Sequence, residues 1–246
     1  MNSLVSDFDG TLFFSKKSEK VRKEDINKIR EFQKQNLFGV CTGRPWIGIS
    51  DLKNYDIFCD FYILTSGALI LDKNQKVLFE KNISKSILKS LIEETEGYPR
   101  AIQSKTKLYT LYKKGAYPME QTVIQSLDEM DEEATGFSVA AKSEQEARQF
   151  CHKFNEKYKV EAFQNKNFVD VVAKGCSKGT AVEFIKNYLN LEFVGAIGDS
   201  YNDIEMLKES DEAFTFHSSP NEVKKVSDYV VSGINQAIDI MTNKKE

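Results

Sequence analysis

The sequence predicts an α/β fold: a Rossmann-like parallel-sheet core with an inserted α+β cap domain. Short apolar runs alternate with helical patterns near the start of the chain and again near its end. This alternation is typical of βαβ units and a parallel sheet. Between the two stretches, strands and helices follow one another irregularly. We therefore expect a core formed by residues 1–79 and 173–246 and a cap formed by residues 80–172.

The first part of the core is predicted from three apolar runs and one amphipathic segment. Leu4 and Val5 begin a buried strand, and further apolar runs at 37–41 and 61–65 predict two more. Between the first two strands, Ile26, Ile29 and Phe32 recur at helical spacing and predict a helix over 24–36. Residues 68–80 form a hairpin pattern with its turn at 72–75.

The middle of the chain predicts the mixed elements of the cap. Helical patterns cover 84–96, 119–127 and 144–158, and strand patterns cover 108–112, 137–140, 160–163 and 168–172. The regular alternation then returns, with helices expected at 178–189, 203–208, 221–226 and 233–241. Strands are expected at 193–197, 213–216 and 229–231, which completes the parallel sheet.

Composition and charge restrict the possible partners. A net charge of -3 over 246 residues argues against nucleic-acid binding, which normally requires a basic surface. The chain contains no apolar run of the length that a membrane span needs, and it shows no secretory signal pattern, so we expect a cytoplasmic protein. Its four cysteines are widely spaced without a C-x-x-C pair, which favours reduced thiols over zinc ligands. His152 and His217 lie in no motif and are expected to be structural or exposed.

Polar residues cluster in sequence just after the predicted core strands. The first strand ends in D7-F-D-G-T-L12, the second in C41-T-G-R44, the third in T65-S-G67 and the strand at 193–197 in G198-D-S-Y-N-D203. The segment S177-K-G-T180 begins the helix before this last strand. Ligands of open parallel sheets bind at the carboxyl ends of the strands, so these segments should meet in one site.

The residue types in these segments suit phosphate chemistry on a divalent cation. Asp7, Asp199 and Asp203 offer the oxygen ligands that Mg²⁺ prefers, and the cation would offset the repulsion between neighbouring carboxylates. Thr42 offers a hydroxyl, and Lys178 places a positive charge at a helix start, where anions are favoured. Asp7 can then act as a nucleophile and Asp9 as a general acid-base.

These segments resemble the four sequence motifs of the haloacid dehalogenase superfamily. D7-F-D-G-T-L12 resembles motif I in its phosphatase form, C41-T-G-R44 motif II, Lys178 in S-K-G-T motif III, and G198-D-S-Y-N-D203 motif IV. The inserted region resembles the large α/β cap of the Cof-type subfamily. Most proteins of this kind are magnesium-dependent phosphatases that act on small phosphorylated metabolites, which the resemblance implies as substrate and partner here.

The resemblance also implies a role for each matching residue. Asp7 would form an aspartyl phosphate, and Asp9 would protonate the leaving alcohol and then activate water. Mg²⁺ would be held by the Asp7 carboxylate, the Asp9 main-chain carbonyl and Asp199, with Asp203 supporting these ligands directly or through water. Phosphate would be bound by Thr42, Gly43, Lys178 and Asn202. Arg44 would contact the substrate or brace the adjacent loop.

Two departures from the family pattern leave substrate preference open. Ser66 and Ser218 occupy positions where many relatives carry asparagine. Two alternative functions also remain at this point: a phosphosugar mutase of the same superfamily and a catalytically silent phosphate-binding regulatory protein. The cap tyrosines Tyr109, Tyr112 and Tyr117 are expected to pack rather than bind. The sequence does not indicate an oligomeric state.

Overall fold

The computed structural model describes residues 1–50, 52–115, 117 and 119–243. Residues 244–246, at the end of the predicted core range, therefore lie outside the described part. The first five strands precede the cap: β1 (Asn2–Asp7), β2 (Leu37–Cys41), β3 (Phe61–Leu64), β4 (Leu69–Asp72) and β5 (Val77–Glu80). Six follow in the middle: β6 (Arg100–Gln103), β7 (Leu108–Leu111), β8 (Thr122–Ile124), β9 (Gly136–Ala140), β10 (Val160–Asn165) and β11 (Phe168–Ala173). The last are β12 (Phe193–Ile197), β13 (Glu212–Phe216) and β14 (Tyr229–Val231).

The helices within the described residues are α1 (Lys23–Phe32), α2 (Lys85–Glu94), α3 (Glu144–Lys157), α4 (Lys178–Tyr188), α5 (Ile204–Glu209), α6 (Asn221–Lys224) and α7 (Ile234–Asn243). Serine hydroxyls determine where three of them begin. Ser84, Ser143 and Ser177 each accept a hydrogen bond from the main-chain N–H three residues later. This satisfies a donor that would otherwise be unpaired in the first helical turn. Among the described residues, no helix combines the length and apolar character needed to cross a membrane.

The core is an eight-stranded sheet in the order β14-β13-β12-β1-β2-β3-β4-β5. It is parallel from β14 to β3, and the β4–β5 hairpin extends it in the antiparallel sense. Adjacent residues of β1 point to opposite faces, as the two-residue period of a strand requires. Leu4 packs with residues of α1 and α7, whereas Val5 packs with residues of α4 and α5. The sheet is therefore covered by helices on both faces, which confirms the predicted fold class.

The middle of the chain forms a second sheet in the order β10-β11-β9-β6-β7-β8. It is antiparallel except for the parallel pair β7–β8. Its own apolar cluster includes Leu91 of α2, Phe154 of α3 and Val169 of β11. All strands of this sheet lie between β5 and α4 in the chain. The exact limits of the cap, residues 80 and 172, stay a prediction.

The cap differs from the sequence prediction in two places. The helix expected over 119–127 is the strand β8 followed by a short 3₁₀ turn at Leu127–Glu129. The β-branched run Thr122, Val123 and Ile124 favours extended backbone, and pairing with β7 supplies its hydrogen bonds. The strand β6 had not been predicted at all. It is short and mixed in polarity, and it is held by pairing with β9 and β7, which a local pattern does not reveal.

Candidate active site

The ends of three neighbouring strands bring the predicted site residues together. β1 lies between β2 and β12, with Asp7 paired to Cys41 and Ser6 paired to Ile197. The segments that follow these strands therefore leave the sheet side by side. One cavity of about 260 Å³ is lined by most of the predicted residues, namely Asp7, Asp9, Thr42, Gly43, Arg44, Asp199 and Asn202. Lys178 and Asp203 lie buried beside it.

The turn after β1 positions Asp9 and leaves room for Asp199. The N–H groups of Leu12 and Phe13 both donate to the carbonyl of Phe8, which closes the turn. Gly10 has φ +91°, and a Cβ at this position would lie 2.7 Å from Asp199 Oδ2. Only glycine fits both the left-handed backbone and this close approach. The glycine of D-x-D-G-T therefore allows motif IV to approach motif I.

A buried lysine joins two of the carboxylates. Lys178 is the first residue of α4, and its Nζ donates to Asp7 Oδ1 and to Asp203 Oδ1, each at 2.6 Å. The side chain is only 2% exposed. Ser177 caps this helix in a reciprocal capping box with Thr180, so the first turn that carries the ammonium is fixed. The lysine is placed by local sequence, and its partners come from two other strand ends.

The site contains more negative than positive charge. Asp7, Asp199 and Asp203 can each place a carboxylate oxygen within 4.8 Å of the others. Burial raises the pKa of Asp7 well above its ordinary value, and the charge of Asp203 adds to this while Lys178 opposes it. Burial and the charge of Asp203 raise the pKa of Asp199 to about 6. Burial acts to lower the pKa of Lys178, but the charges of Asp203 and Asp7 outweigh it and raise that pKa.

The donor set fits a divalent metal ion. Three carboxylates facing one ammonium leave two negative charges, which is the charge that Mg²⁺ would offset. The buried Asp199 Oδ1 has no hydrogen-bond partner among the described residues. A buried acceptor without a partner is costly unless an ion or water completes it. Both Asp203 oxygens, by contrast, are engaged, because Oδ1 binds Lys178 and Oδ2 accepts from the N–H groups of Asp199 and Ser200.

Arg44 binds Asp9 through two parallel hydrogen bonds. Its Nε donates to Asp9 Oδ2 at 2.7 Å and its Nη2 to Asp9 Oδ1 at 2.6 Å. Nη1 donates to the carbonyl of Gly48, and the guanidinium lies over the ring of Phe8. The Asp9 side chain is still 43% exposed and faces the cavity. Asp9 is thus more accessible than Asp7, and Arg44 fixes its orientation.

The segment after β2 lines the cavity, and the turn after β3 is hydrogen-bonded to it. Thr42 is buried, its Oγ1 accepts from the N–H of Arg44, and its carbonyl accepts from the N–H of Ser66. Thr65 and Ser66 both have left-handed backbone, at φ 48° and 47°. This conformation is strained for residues other than glycine. Ser218, the other departure from the family pattern, is exposed.

The cap supplies the rest of the cavity wall, through residues that the sequence analysis had not assigned to the site. These include Tyr117, Ser138, Lys166 and Asp170. Of the three cap tyrosines, Tyr109 is buried in the cap, Tyr112 is exposed and Tyr117 lines the cavity. One signal for Asp170 was present in the sequence, because F168-V-D-V-V172 places an acid between two valines of a strand. Since Val169 and Val171 point into the cap interior, Asp170 must face the other way.

Comparison with known proteins identifies the family. A family model described as haloacid dehalogenase-like hydrolase matches residues 4–238. A phosphoglycolate phosphatase of Sulfurisphaera tokodaii is 29% identical over 233 residues, which cover 93% of this chain and 86% of that protein.

Solved structures of similar shape cover nearly the whole chain. A haloacid dehalogenase-like hydrolase from B. subtilis superposes with a TM-score of 0.85 at 20% identity, covering 99% of both chains. A sugar phosphatase of subclass IIB superposes with a TM-score of 0.82 at 20% identity, covering 100% of this chain and 99% of the other. At these identities the structural likeness establishes the fold.

Proposed function

The chain belongs to the haloacid dehalogenase-like hydrolases, and on this premise we propose that it is a Mg²⁺-dependent phosphatase of small phosphorylated metabolites. The observation that carries the proposal is the pair of unlike aspartates at the end of β1. Asp7 is buried and bonded to Lys178, whereas Asp9 is partly exposed and reaches the same cavity. One carboxylate is therefore suited to covalent attack and the other to proton transfer.

Phosphate esters are favoured over other hydrolase substrates by the chemistry of the cavity and by the relatives. The protein of S. tokodaii is a phosphoglycolate phosphatase, and the subclass IIB structure is a sugar phosphatase. We infer the same class of reaction here, in a cytoplasmic protein whose cap comprises residues 80–172. All four cysteines are buried.

The metal would be held by Asp7, the main-chain carbonyl of Asp9 and Asp199, whose unpaired Oδ1 needs such a partner. Asp203 is assigned a supporting role, because all of its carboxylate oxygens already accept hydrogen bonds. When bound, Mg²⁺ would neutralise charge on the transferring phosphoryl group. Lys178 holds Asp7 in place before the substrate arrives, and its positive charge opposes the rise in the pKa of Asp7.

In the first half of the reaction, an Asp7 oxygen attacks phosphorus. The bond between phosphorus and the ester oxygen breaks, and the leaving oxygen takes a proton from Asp9. Asp7 Oδ2 accepts no hydrogen bond from the described residues, so it is the free oxygen of that carboxylate. Thr42, Gly43 and Asn202 line the cavity beside Asp7 and are assigned to the phosphoryl oxygens, with Lys178 contributing positive charge.

In the second half, the aspartyl phosphate is hydrolysed. Asp9, now ionised, takes a proton from a water molecule whose oxygen attacks phosphorus. The bond to Asp7 breaks, inorganic phosphate leaves, and both carboxyl groups regain their starting states. Because Arg44 engages both oxygens of Asp9, at least one of these hydrogen bonds must open during each proton transfer.

Phosphate release from p-nitrophenyl phosphate tests this function. We expect turnover with Mg²⁺, its loss in EDTA, and its loss in Asp7→Asn, which preserves the shape of the side chain but removes the nucleophile. Metal-dependent activity retained by Asp7→Asn would contradict the mechanism. Phosphate exchange between positions of a sugar without free phosphate would favour a mutase, and absence of both reactions a silent binding protein.

A further inference from the structure

The part of the substrate that leaves as an alcohol must lie beneath the cap, where one half-buried acid, Asp170, lines the cavity. Asp170 projects from β11 into the cavity and lies directly opposite Ser138 of β9. Ser138 Oγ donates to Asp170 Oδ1 at 2.6 Å. Oδ2 accepts no hydrogen bond from any side chain or main-chain group in the described part of the chain. Asp170 therefore has one oxygen available to a ligand.

This free oxygen lies next to the phosphate-binding segment. A Cβ on Gly43 would lie 3.0 Å from Asp170 Oδ2, so the cap acid touches the loop after β2. The hydroxyl of Tyr117, which also lines the cavity, is buried without a partner among the described residues. Burial raises the pKa of Tyr117, and the negative charge of Asp170 raises it further. Together they offer one strong acceptor and one hydroxyl.

No positive group of the described residues forms an ion pair with Asp170, although the charge of Lys178 lowers its pKa. Arg44 is committed to Asp9, and Lys178 is bonded to Asp7 and Asp203. Lys166 is exposed where it lines the cavity, and its charge lowers the pKa of Asp199. Burial raises the pKa of Asp170 to about 6, so the group is still mostly ionised above neutral pH.

We propose that Asp170 determines specificity by accepting a hydrogen bond from a hydroxyl of the leaving group and by repelling leaving groups that carry a carboxylate. The inference rests on the proposed phosphatase function and narrows its substrates to uncharged, hydroxyl-bearing phosphate esters. A carboxylate next to Asp170 would place two like charges side by side in the cavity, which is costly. Tyr117 supplies the second hydrogen bond to such a hydroxyl.

Two three-carbon esters isolate this effect. Glycerol 3-phosphate and 3-phosphoglycerate differ at one carbon only. This carbon is a hydroxymethyl group in glycerol 3-phosphate and a carboxylate in 3-phosphoglycerate. We expect wild-type kcat/KM to favour glycerol 3-phosphate by about tenfold or more, since the like charges of Asp170 and the carboxylate repel each other. If turnover of either ester is slow, its Ki against p-nitrophenyl phosphate hydrolysis gives the same comparison.

Asp170→Asn should reduce this preference by about tenfold, because asparagine keeps the acceptor for Ser138 but removes the charge. Tyr117→Phe should lower kcat/KM for glycerol 3-phosphate and leave the value for 3-phosphoglycerate nearly unchanged. Asp128→Asn, an exposed acid elsewhere in the cap, is the matched control and should keep the wild-type ratio. Equal ratios in wild type and Asp170→Asn, with thermal unfolding showing that the variant is folded, would overturn the assignment of Asp170.

Loss of the proposed phosphatase function and loss of the role of Asp170 give different experimental results. A wild-type protein that hydrolyses p-nitrophenyl phosphate but shows no charge preference contradicts only the role of Asp170. A wild-type protein that hydrolyses no phosphate ester contradicts the proposed function and this inference with it.

Discussion

Replacing Lys178 by methionine removes the one ammonium that two buried carboxylates share. Its Nζ lies 2.6 Å from both Asp7 Oδ1 and Asp203 Oδ1, and Asp203 is fully buried. Methionine has a similar length, so the substitution removes charge and hydrogen bonds more than volume. Asp7 and Asp203 would be left facing each other, with Asp199 beside them and no counter-charge.

Removing one partner of a buried ion pair typically costs about 3–5 kcal/mol, because the remaining charge stays desolvated. For a chain of this size each kcal/mol lowers Tm by roughly 2–4 °C, so we expect Tm to fall by about 6–20 °C. The comparison is made in EDTA, because a bound metal ion would compensate for part of the lost charge.

The deficit should grow with pH. Burial already raises the pKa of Asp7, and loss of Lys178 raises it further. A carboxyl group whose pKa is higher in the folded than in the unfolded state stabilises the fold at low pH, and this stability disappears as pH rises through the folded pKa. Protonated Asp7 is tolerated without a counter-charge, whereas ionised Asp7 is not. The loss in Tm should therefore be larger at about pH 8 than at about pH 5.

Thermal unfolding followed by circular dichroism measures this effect. Lys186→Met is the matched control. Lys186 lies on the same helix, it forms an ion pair with Asp211, and its side chain is 31% exposed. Such pairs contribute about 0–1 kcal/mol, so this variant should unfold near the wild-type temperature. Equal Tm values for the two variants at high pH would refute the buried charge arrangement.

Three further predictions follow from the site. Asp9→Asn should lower kcat/KM, which reports the first half of the reaction, about 100- to 10,000-fold for alkyl phosphates and much less for p-nitrophenyl phosphate, whose leaving group needs no proton; similar losses in kcat/KM would exclude the acid role. Gly10→Ala should lower the free energy of unfolding by about 1–2 kcal/mol through backbone strain and should also weaken activation by Mg²⁺. Gly97→Ala is the control, because its Cβ would have no atom within 4 Å, and it should affect stability alone. Mg²⁺ at a hundredfold excess over Kd should stabilise the protein by about 2.7 kcal/mol, and Asp199→Asn should abolish this shift in Tm.

The sequence was informative about the core because its signals are local. Each site segment follows directly after an apolar strand, and in a parallel sheet all such ends lie at one edge. Asp7, Thr42 and Asp199 could therefore be placed together before any contact was known. Glycine at position 10 marked the turn, although its close approach to Asp199 required the structure.

The cap was less predictable because its strands depend on their neighbours. Residues 119–127 have polar and apolar positions compatible with a helix, yet Thr122–Ile124 pairs with β7 and is extended. The strand β6 has only Ala101 and Ile102 as apolar residues and is defined by pairing on both sides. Short segments of this kind take their conformation from tertiary contacts.

The contacts between side chains from distant segments were beyond the sequence altogether. Arg44 was assigned to phosphate or to loop support, and its paired hydrogen bonds to Asp9 depend on the packing of two separate turns. Asp170 lies more than a hundred residues from Gly43 in the chain and reaches it only because the cap covers the core. The alternation in β11 could indicate that Asp170 faces away from the cap interior, but not what it faces.

The covalent intermediate on Asp7 is the central claim, and chemical trapping tests it most directly. The protein is mixed with a phosphate monoester and Mg²⁺, quenched in acid, reduced with borohydride and analysed by peptide mass spectrometry. An aspartyl phosphate is reduced to homoserine, so the account predicts this conversion at residue 7 and only when substrate is present. Conversion at Asp9 instead, or phosphate release without any modified carboxylate, would contradict it.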